Sequence, residues 1–358
     1  MKNDSIQLNG KIFNRKNLQK LHVANEPENS WRNVIFHFLK NWFDASETIL
    51  AQTSGSTGAP KDIRLTKQSM INSARMTNQF FGLTSGKSAL LCLPASYIAG
   101  KMMLVRALVS GFNLIAVEPK ANPFENLNVP IDFASITPYQ LFHSAETLKN
   151  APIKNIIVGG GRVNSKLEAI AASISASVYE TYGMTETCSH IALRCFNGYK
   201  KSDFFTVLEG VSIGQNEISC LTIRAPHLLS DEIQTNDIVE LINGNSFRWL
   251  GRADSAINTG GIKIHPEPVE KKLENLISKP FFVSSVPDQM LGNKIILVIE
   301  SEKFQEEQEL ELKSHLVSML NKYEIPKLIC YVPRFVYSLS DKVLRSETLK
   351  KYTEDDLL

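Results

Sequence analysis

The sequence predicts an α/β fold: a large layered α/β domain over residues 1–253 and a small α+β domain over residues 254–358. Three features carry this expectation. Apolar runs at 88–94, 131–137 and 156–158 end at Pro94, Pro138 and the Gly159-Gly160-Gly161 cluster, as strands buried on both faces of a parallel sheet do. Segments of helical periodicity lie between those runs, so strands and helices alternate along the chain. Beyond Ser255 the character changes, with a glycine pair and a proline-rich acidic segment leading to one strand at 294–299 and one helix at 309–316.

In order, a short strand at 6–8 precedes an amphipathic helix at 30–39. There Trp31, Ile35, Phe38 and Leu39 recur at helical spacing, and His37 reads as structural or solvated. Thr66 reads as the cap of a helix that ends near Gly82. The strand at 88–94 leads into a helix at 97–108 and a strand at 113–117. The glycine cluster at 159–161 closes another strand at the sheet edge where open α/β folds hold ligands. A further strand from 177 runs into Tyr182-Gly183-Met184-Thr185-Glu186.

With 358 residues, 43% apolar and 21% charged, the chain is long enough for two domains with real cores. Its 39 basic and 37 acidic residues give a net charge of +2, which argues against a dedicated nucleic-acid or membrane surface and for small-molecule partners. No leader pattern and no apolar run of membrane-spanning length is found, so a cytoplasmic location is expected; a homo-oligomer is compatible with this composition. Five scattered cysteines without Cys-x-x-Cys spacing form neither a zinc site nor a disulfide frame, and Cys188 reads as a small buried residue.

The chemistry centres on residues 53–61. Thr53, Ser54, Ser56 and Thr57 alternate with Gly55 and Gly58 ahead of Pro60 and Lys61, so hydroxyls, backbone N–H groups and an ammonium can converge on phosphate. A Walker phosphate loop would require Gly-Lys-Ser/Thr, whereas Pro60-Lys61-Asp62 stands here. The stretch resembles instead the phosphate loop of the adenylate-forming (acyl-CoA ligase) superfamily, with Asp62 in place of a glycine. Four further segments resemble that family in its order: Tyr182 to Glu186, Asp237 within 233–241, Gly251-Arg252-Ala253-Asp254, and Gly260-Gly261 ahead of Pro266 and Glu270. Ser338 to Arg345 aligns with the family's last motif, with Asp341 and Ser338 departing from it.

The resemblance implies ATP, Mg²⁺ and coenzyme A as co-substrates and a carboxylic acid as the group activated. It implies that Thr53, Ser54, Gly55, Ser56, Thr57, Gly58 and Lys61 hold phosphates, that Tyr182 offers a face to adenine with Gly160, Gly161 and Gly183 also at the ATP, that Asp237 meets the ribose, and that Arg252 meets ribose or phosphate. Thr185 would meet phosphate, Glu186 the magnesium, and Lys342 would act as the catalytic lysine. Asp254 would be the hinge of a mobile C-terminal domain, and Gly260 and Gly261 would line the path of coenzyme A. Tyr97 stands where the family has an aromatic gate to the acyl pocket, in a Leu93-Pro94 to Gly100 pattern. A short N-terminal region, that pattern, and the residues after Glu186 most resemble the o-succinylbenzoate-activating branch. A second carboxylate on the acid needs a cation or several donors; Lys101, Ser189, His190 and Arg194 are the candidates. Two alternatives stand beside this reading: a ligase or adenylation enzyme for another acid, and a non-catalytic nucleotide-binding protein.

Overall fold

The computed structural model describes residues 4–52, 62–337 and 343–352. A thirteen-stranded mixed sheet runs through the larger part of the chain. Its parallel block has the order Asn113–Ala116, Ser88–Leu91, Ile131–Ile136, Ile153–Val158 and Ser177–Gly183. The strand Ser5–Leu8 adds to this block in parallel, and Lys11–Asn14 closes that edge.

The two-residue alternation of strand side chains divides this block between two cores. Ala89, Leu91, Phe133, Ile157 and Tyr179 face one core, shared with the helices Trp31–Trp42, Lys67–Phe81 and Ile98–Ser110. Leu90, Ala134, Ile136, Ile156 and Val158 face the other, with Leu141 and Leu167 from the helices Pro138–His143 and Ser165–Ala172. The helix starts follow local chemistry: Thr66 accepts from the Ser69 N–H at 3.0 Å, and Gly82 closes that helix in the left-handed region at φ +62°.

Beyond Gly183 the alternation of strand and helix stops. His190–Cys195, Phe205–Val207, Ser246–Arg252, Ile233–Asn243, Cys220–Arg224 and Ser212–Gln215 extend the same sheet as an antiparallel run joined by turns and loops. The α/β expectation therefore describes the parallel block, and an antiparallel region completes the sheet. Asn236 and Asp237 lie inside the long strand Ile233–Asn243.

The described residues from 257 onward gather around cores of their own. Val269, Leu273, Leu297 and Leu316 belong to one, and Phe282, Ile296, Val298 and Val332 to the other. Three strands, Phe281–Asp288, Gly292–Glu300 and Leu328–Val332, carry the helices Pro266–Leu273 and Glu306–Met319. Among the described residues no helix is long and apolar enough to cross a membrane.

Candidate active site

Residues 53–61 connect the paired strands Thr48–Gln52 and Asp62–Thr66, and themselves lie outside the described residues. The last pair of that ladder is Gln52 with Asp62, and Gln52 Nε2 donates to Asp62 Oδ1 at 3.1 Å. Asp62, a departure from the family pattern, thus closes the neck of the loop. Lys101 donates to the Leu50 carbonyl at 2.7 Å, tying the helix Ile98–Ser110 to the same hairpin. Burial lowers its pKa. Its ammonium thus braces the loop's support. Tyr97, the expected gate, is 54% exposed and precedes that helix as its N-cap.

The strand Ser177–Gly183 delivers the second motif to the carboxyl edge of the parallel block. A Cβ at Gly183 would lie 2.4 Å from the Ser189 carbonyl, so only glycine lets the returning chain pass so close. Thr187, wholly buried, accepts from the Met184 N–H at 3.1 Å and lies 2.7 Å from the Ser189 carbonyl as donor. This hydroxyl ties together the turn that presents Thr185 and Glu186, and the sequence reading passed over it. Cys188 occupies the left-handed region at φ +63°, and burial pushes its thiol up to about 12, away from any nucleophilic role. Glu186 is exposed and makes no hydrogen bond or ion pair with another described residue. Its oxygens therefore suit a hard cation brought in with a phosphate ligand. No cluster of three or more potential metal ligands occurs among the described residues.

Tyr182 and Asp237 meet directly: the phenol donates to Asp237 Oδ2 at 2.6 Å and Trp249 Nε1 donates to Oδ1 at 3.1 Å. Burial first, and then the Asp237 charge, raise the Tyr182 pKa far above its ordinary value. Arg252 lies 3.9 Å from Asp237 and holds Asp254 through two bonds at 2.9 and 2.7 Å. The expected ribose pair and hinge residue therefore form one polar cluster at the end of the strand Ser246–Arg252, next to the short turn Ala253–Ser255.

Bonded to Ser189, three residues beyond Glu186, is a cation that sequence reasoning missed. Arg106 is 1% exposed and donates to Ser189 Oγ at 2.6 Å, while its Nε has no partner. No carboxylate pairs with it among the described residues, and burial pulls its pKa down to about 9. His190 stands beside it, 5% exposed, with Nε2 3.2 Å from Thr77 Oγ1 and Nδ1 3.3 Å from Ser189 Oγ. Burial, and then Arg106, lower its pKa well below the ordinary imidazole value, so it is a neutral polar contact. Of the four sequence candidates for a second carboxylate, Ser189 and His190 lie here. Arg194 does not, since its guanidinium is taken by Glu180 at 2.7 and 2.9 Å and by Glu168 at 3.1 Å. Arg106 sits six residues beyond Gly100 on an apolar helix; a charge at a position of core periodicity was the signal available.

Glu180 also accepts from the Val163 N–H at 3.0 Å, fixing the base of the Gly159-Gly160-Gly161 turn. Gly160 has φ +82°, which favours glycine there. In the C-terminal part, Gly260 and Gly261 form the turn between Ile257–Thr259 and Ile262–Ile264, with φ +55° and +80°. Lys342 lies outside the described residues.

The sequence matches the family model described as AMP-binding enzyme over residues 17–216, more than half of the chain. The chain belongs to the AMP-binding enzyme family. This AMP-binding enzyme is 34% identical to the acyl-CoA synthetase (AMP-forming)/AMP-acid ligase II-like protein from Dyadobacter fermentans. The match covers 94% of this chain and 98% of that one, with a TM-score of 0.60. It is 24% identical over 324 residues to the 2-succinylbenzoate–CoA ligase of Lactococcus lactis, a match covering 85% of this chain and 71% of the relative. Its fold is also similar to the O-succinylbenzoate coenzyme A synthetase of Bacillus subtilis solved in complex with ATP and magnesium ion. That likeness has 23% identity, 84% and 69% coverage, and a TM-score of 0.69.

Proposed function

We propose that this AMP-binding enzyme converts o-succinylbenzoate to its acyl-adenylate with ATP and then transfers the acyl group to coenzyme A, as a cytoplasmic enzyme of menaquinone biosynthesis. The observation that carries the choice of acid is Arg106. A buried guanidinium without a counter-charge is costly, and a carboxylate arriving with the substrate would relieve that cost. An acid with two carboxylates can leave one on Arg106 and Ser189 and present the other to ATP. The name of the Lactococcus relative supports the same acid.

In this reading the free carboxylate attacks the α-phosphorus and pyrophosphate leaves. Thr53 to Lys61 hold the departing phosphates, and Lys342 offsets charge between carboxylate and α-phosphate. Glu186 and Thr185 would hold Mg²⁺ and phosphate, and the metal, when bound, would supply charge neutralisation on the phosphates. Tyr182, Asp237 and Arg252 position the nucleoside. The thiol of coenzyme A then attacks the acyl carbon, AMP leaves, and Gly260 and Gly261 admit the thiol's arm after the residues beyond Asp254 pivot.

The test is coenzyme A-dependent thioester formation with o-succinylbenzoate beside benzoate, a medium-chain fatty acid and an amino acid, for the parent and for Arg106→Met. The parent should prefer o-succinylbenzoate. The variant should raise KM for that acid by about 10- to 100-fold, the range for one charge-assisted hydrogen bond, and leave benzoate unchanged. No preference among the acids, or a uniform loss, rules out the assignment.

A further inference from the structure

Among the described residues, a seam joins the parallel block to the C-terminal unit that begins at residue 257, and it lies one residue beyond the glycine turn at 159–161. Arg162 donates to the Glu267 carbonyl at 3.3 Å and stands 3.8 Å from Glu270 and 3.7 Å from Glu274. The Ser165 N–H, first in the helix Ser165–Ala172, donates to Glu274 Oε2 at 2.8 Å. Glu274 thus rests between a guanidinium and an N–H at the start of a helix, a favourable seat for a carboxylate.

The two acids differ in what they would keep if the units separated. Glu270 retains Arg345 at 2.9 Å and the Val283 N–H at 2.8 Å, both in its own unit. Glu274 has no described partner other than Arg162 and Ser165, both across the seam. A partly exposed contact of this kind is weak enough to release and strong enough to bias an equilibrium. Its place also matters. Glu180 fixes Val163, so the backbone carrying Arg162 is held on one side by the sheet and on the other forms the glycine turn expected at the nucleotide.

We propose that Arg162 and Glu274 are positioning residues that lock the C-terminal unit against the glycine turn, and so set which half-reaction the site is shaped for. The consequence for catalysis rests on the ligase reading above; the lock itself does not. Arg162→Ala and Glu274→Gln release it from opposite sides, and the glutamine keeps the shape and the acceptor for Ser165.

The experiment is energy transfer between dyes on Tyr199→Cys and Met290→Cys, in the full chain with and without each releasing substitution. Those positions are 94% and 93% exposed, while the five native cysteines are buried. The expected result is a shift of population away from the parent's main distance in both variants, with the double variant no further shifted than a single one. About 1 M salt, where the screening length is about 3 Å, should move the parent the same way. Adenylation from acid and ATP, and thioester formation from supplied acyl-adenylate, should change their ratio by about 5- to 10-fold. An unchanged distance distribution in both variants overturns the lock, whatever the activity. An altered distribution in a protein that activates no acid upholds the lock and overturns the ligase reading alone.

Discussion

His190 shows how a single side chain can be placed near a site by sequence and given its charge only by its surroundings. Its ring is enclosed by Thr77, Ser189 and Arg106, so protonation is penalised in the folded chain and free in the unfolded one. With the folded pKa lowered, the unfolded state binds more protons below about pH 6.5, and stability falls as pH drops through that value. Urea unfolding between pH 5 and 7.5 should show this group contributing up to about 1.4 kcal/mol of lost stability per pH unit below its ordinary pKa. His190→Asn should remove that part of the slope. An unchanged slope would mean that the imidazole is charged in the folded state.

Two neighbouring residues set how the helix Ile98–Ser110 meets its surroundings, and each supports a prediction. A Cβ at Gly100 would fall 2.3 Å from the Pro94 carbonyl, which is backbone and cannot step aside. Gly100→Ala should therefore destabilise the chain by about 1–3 kcal/mol, the usual cost of forced overpacking, seen as a lower urea midpoint with unchanged m-value. Lys101 reaches the Leu50 carbonyl at the root of the hairpin that carries the phosphate loop. Lys101→Met should thus raise KM for ATP by about 3- to 10-fold, less than the full worth of a hydrogen bond from a charged donor because the bond acts on ATP only through the hairpin, with little change in KM for the acid. The opposite split in steady-state kinetics would return Lys101 to the acyl pocket. That a lysine at this spacing braces a hairpin was not legible in the sequence, because its partner is a backbone carbonyl 51 residues away.

For the whole molecule, two half-reactions that alternate at one site should separate in mutants. Lys342→Ala should slow adenylation by roughly 10²- to 10³-fold and leave thioester formation from supplied acyl-adenylate nearly unaffected. A bulky residue at Gly261, where φ is +80°, should do the converse. Measuring both steps in both variants checks this; equal losses in the two steps would mean that the units do not alternate.

What the sequence determined by itself was whatever depends on neighbours along the chain. The Thr66 and Gly82 ends of a helix, the apolar runs of the parallel strands, and the order of the motifs at Thr53, Tyr182, Asp237, Arg252 and Gly260 could all be read there. Local capping, alternation and turn chemistry act over a few residues. What only the tertiary structure decided was which polar groups share a burial site. Arg194 and Arg106 are both arginines in apolar segments, yet one is neutralised by Glu180 and Glu168 while the other is left facing Ser189 and His190. The antiparallel run that completes the sheet and the meeting of Arg162 with Glu274 are of the same kind. Charge pairing and desolvation depend on distance in space, and the 111 residues between Arg162 and Glu274 carry no local trace of it.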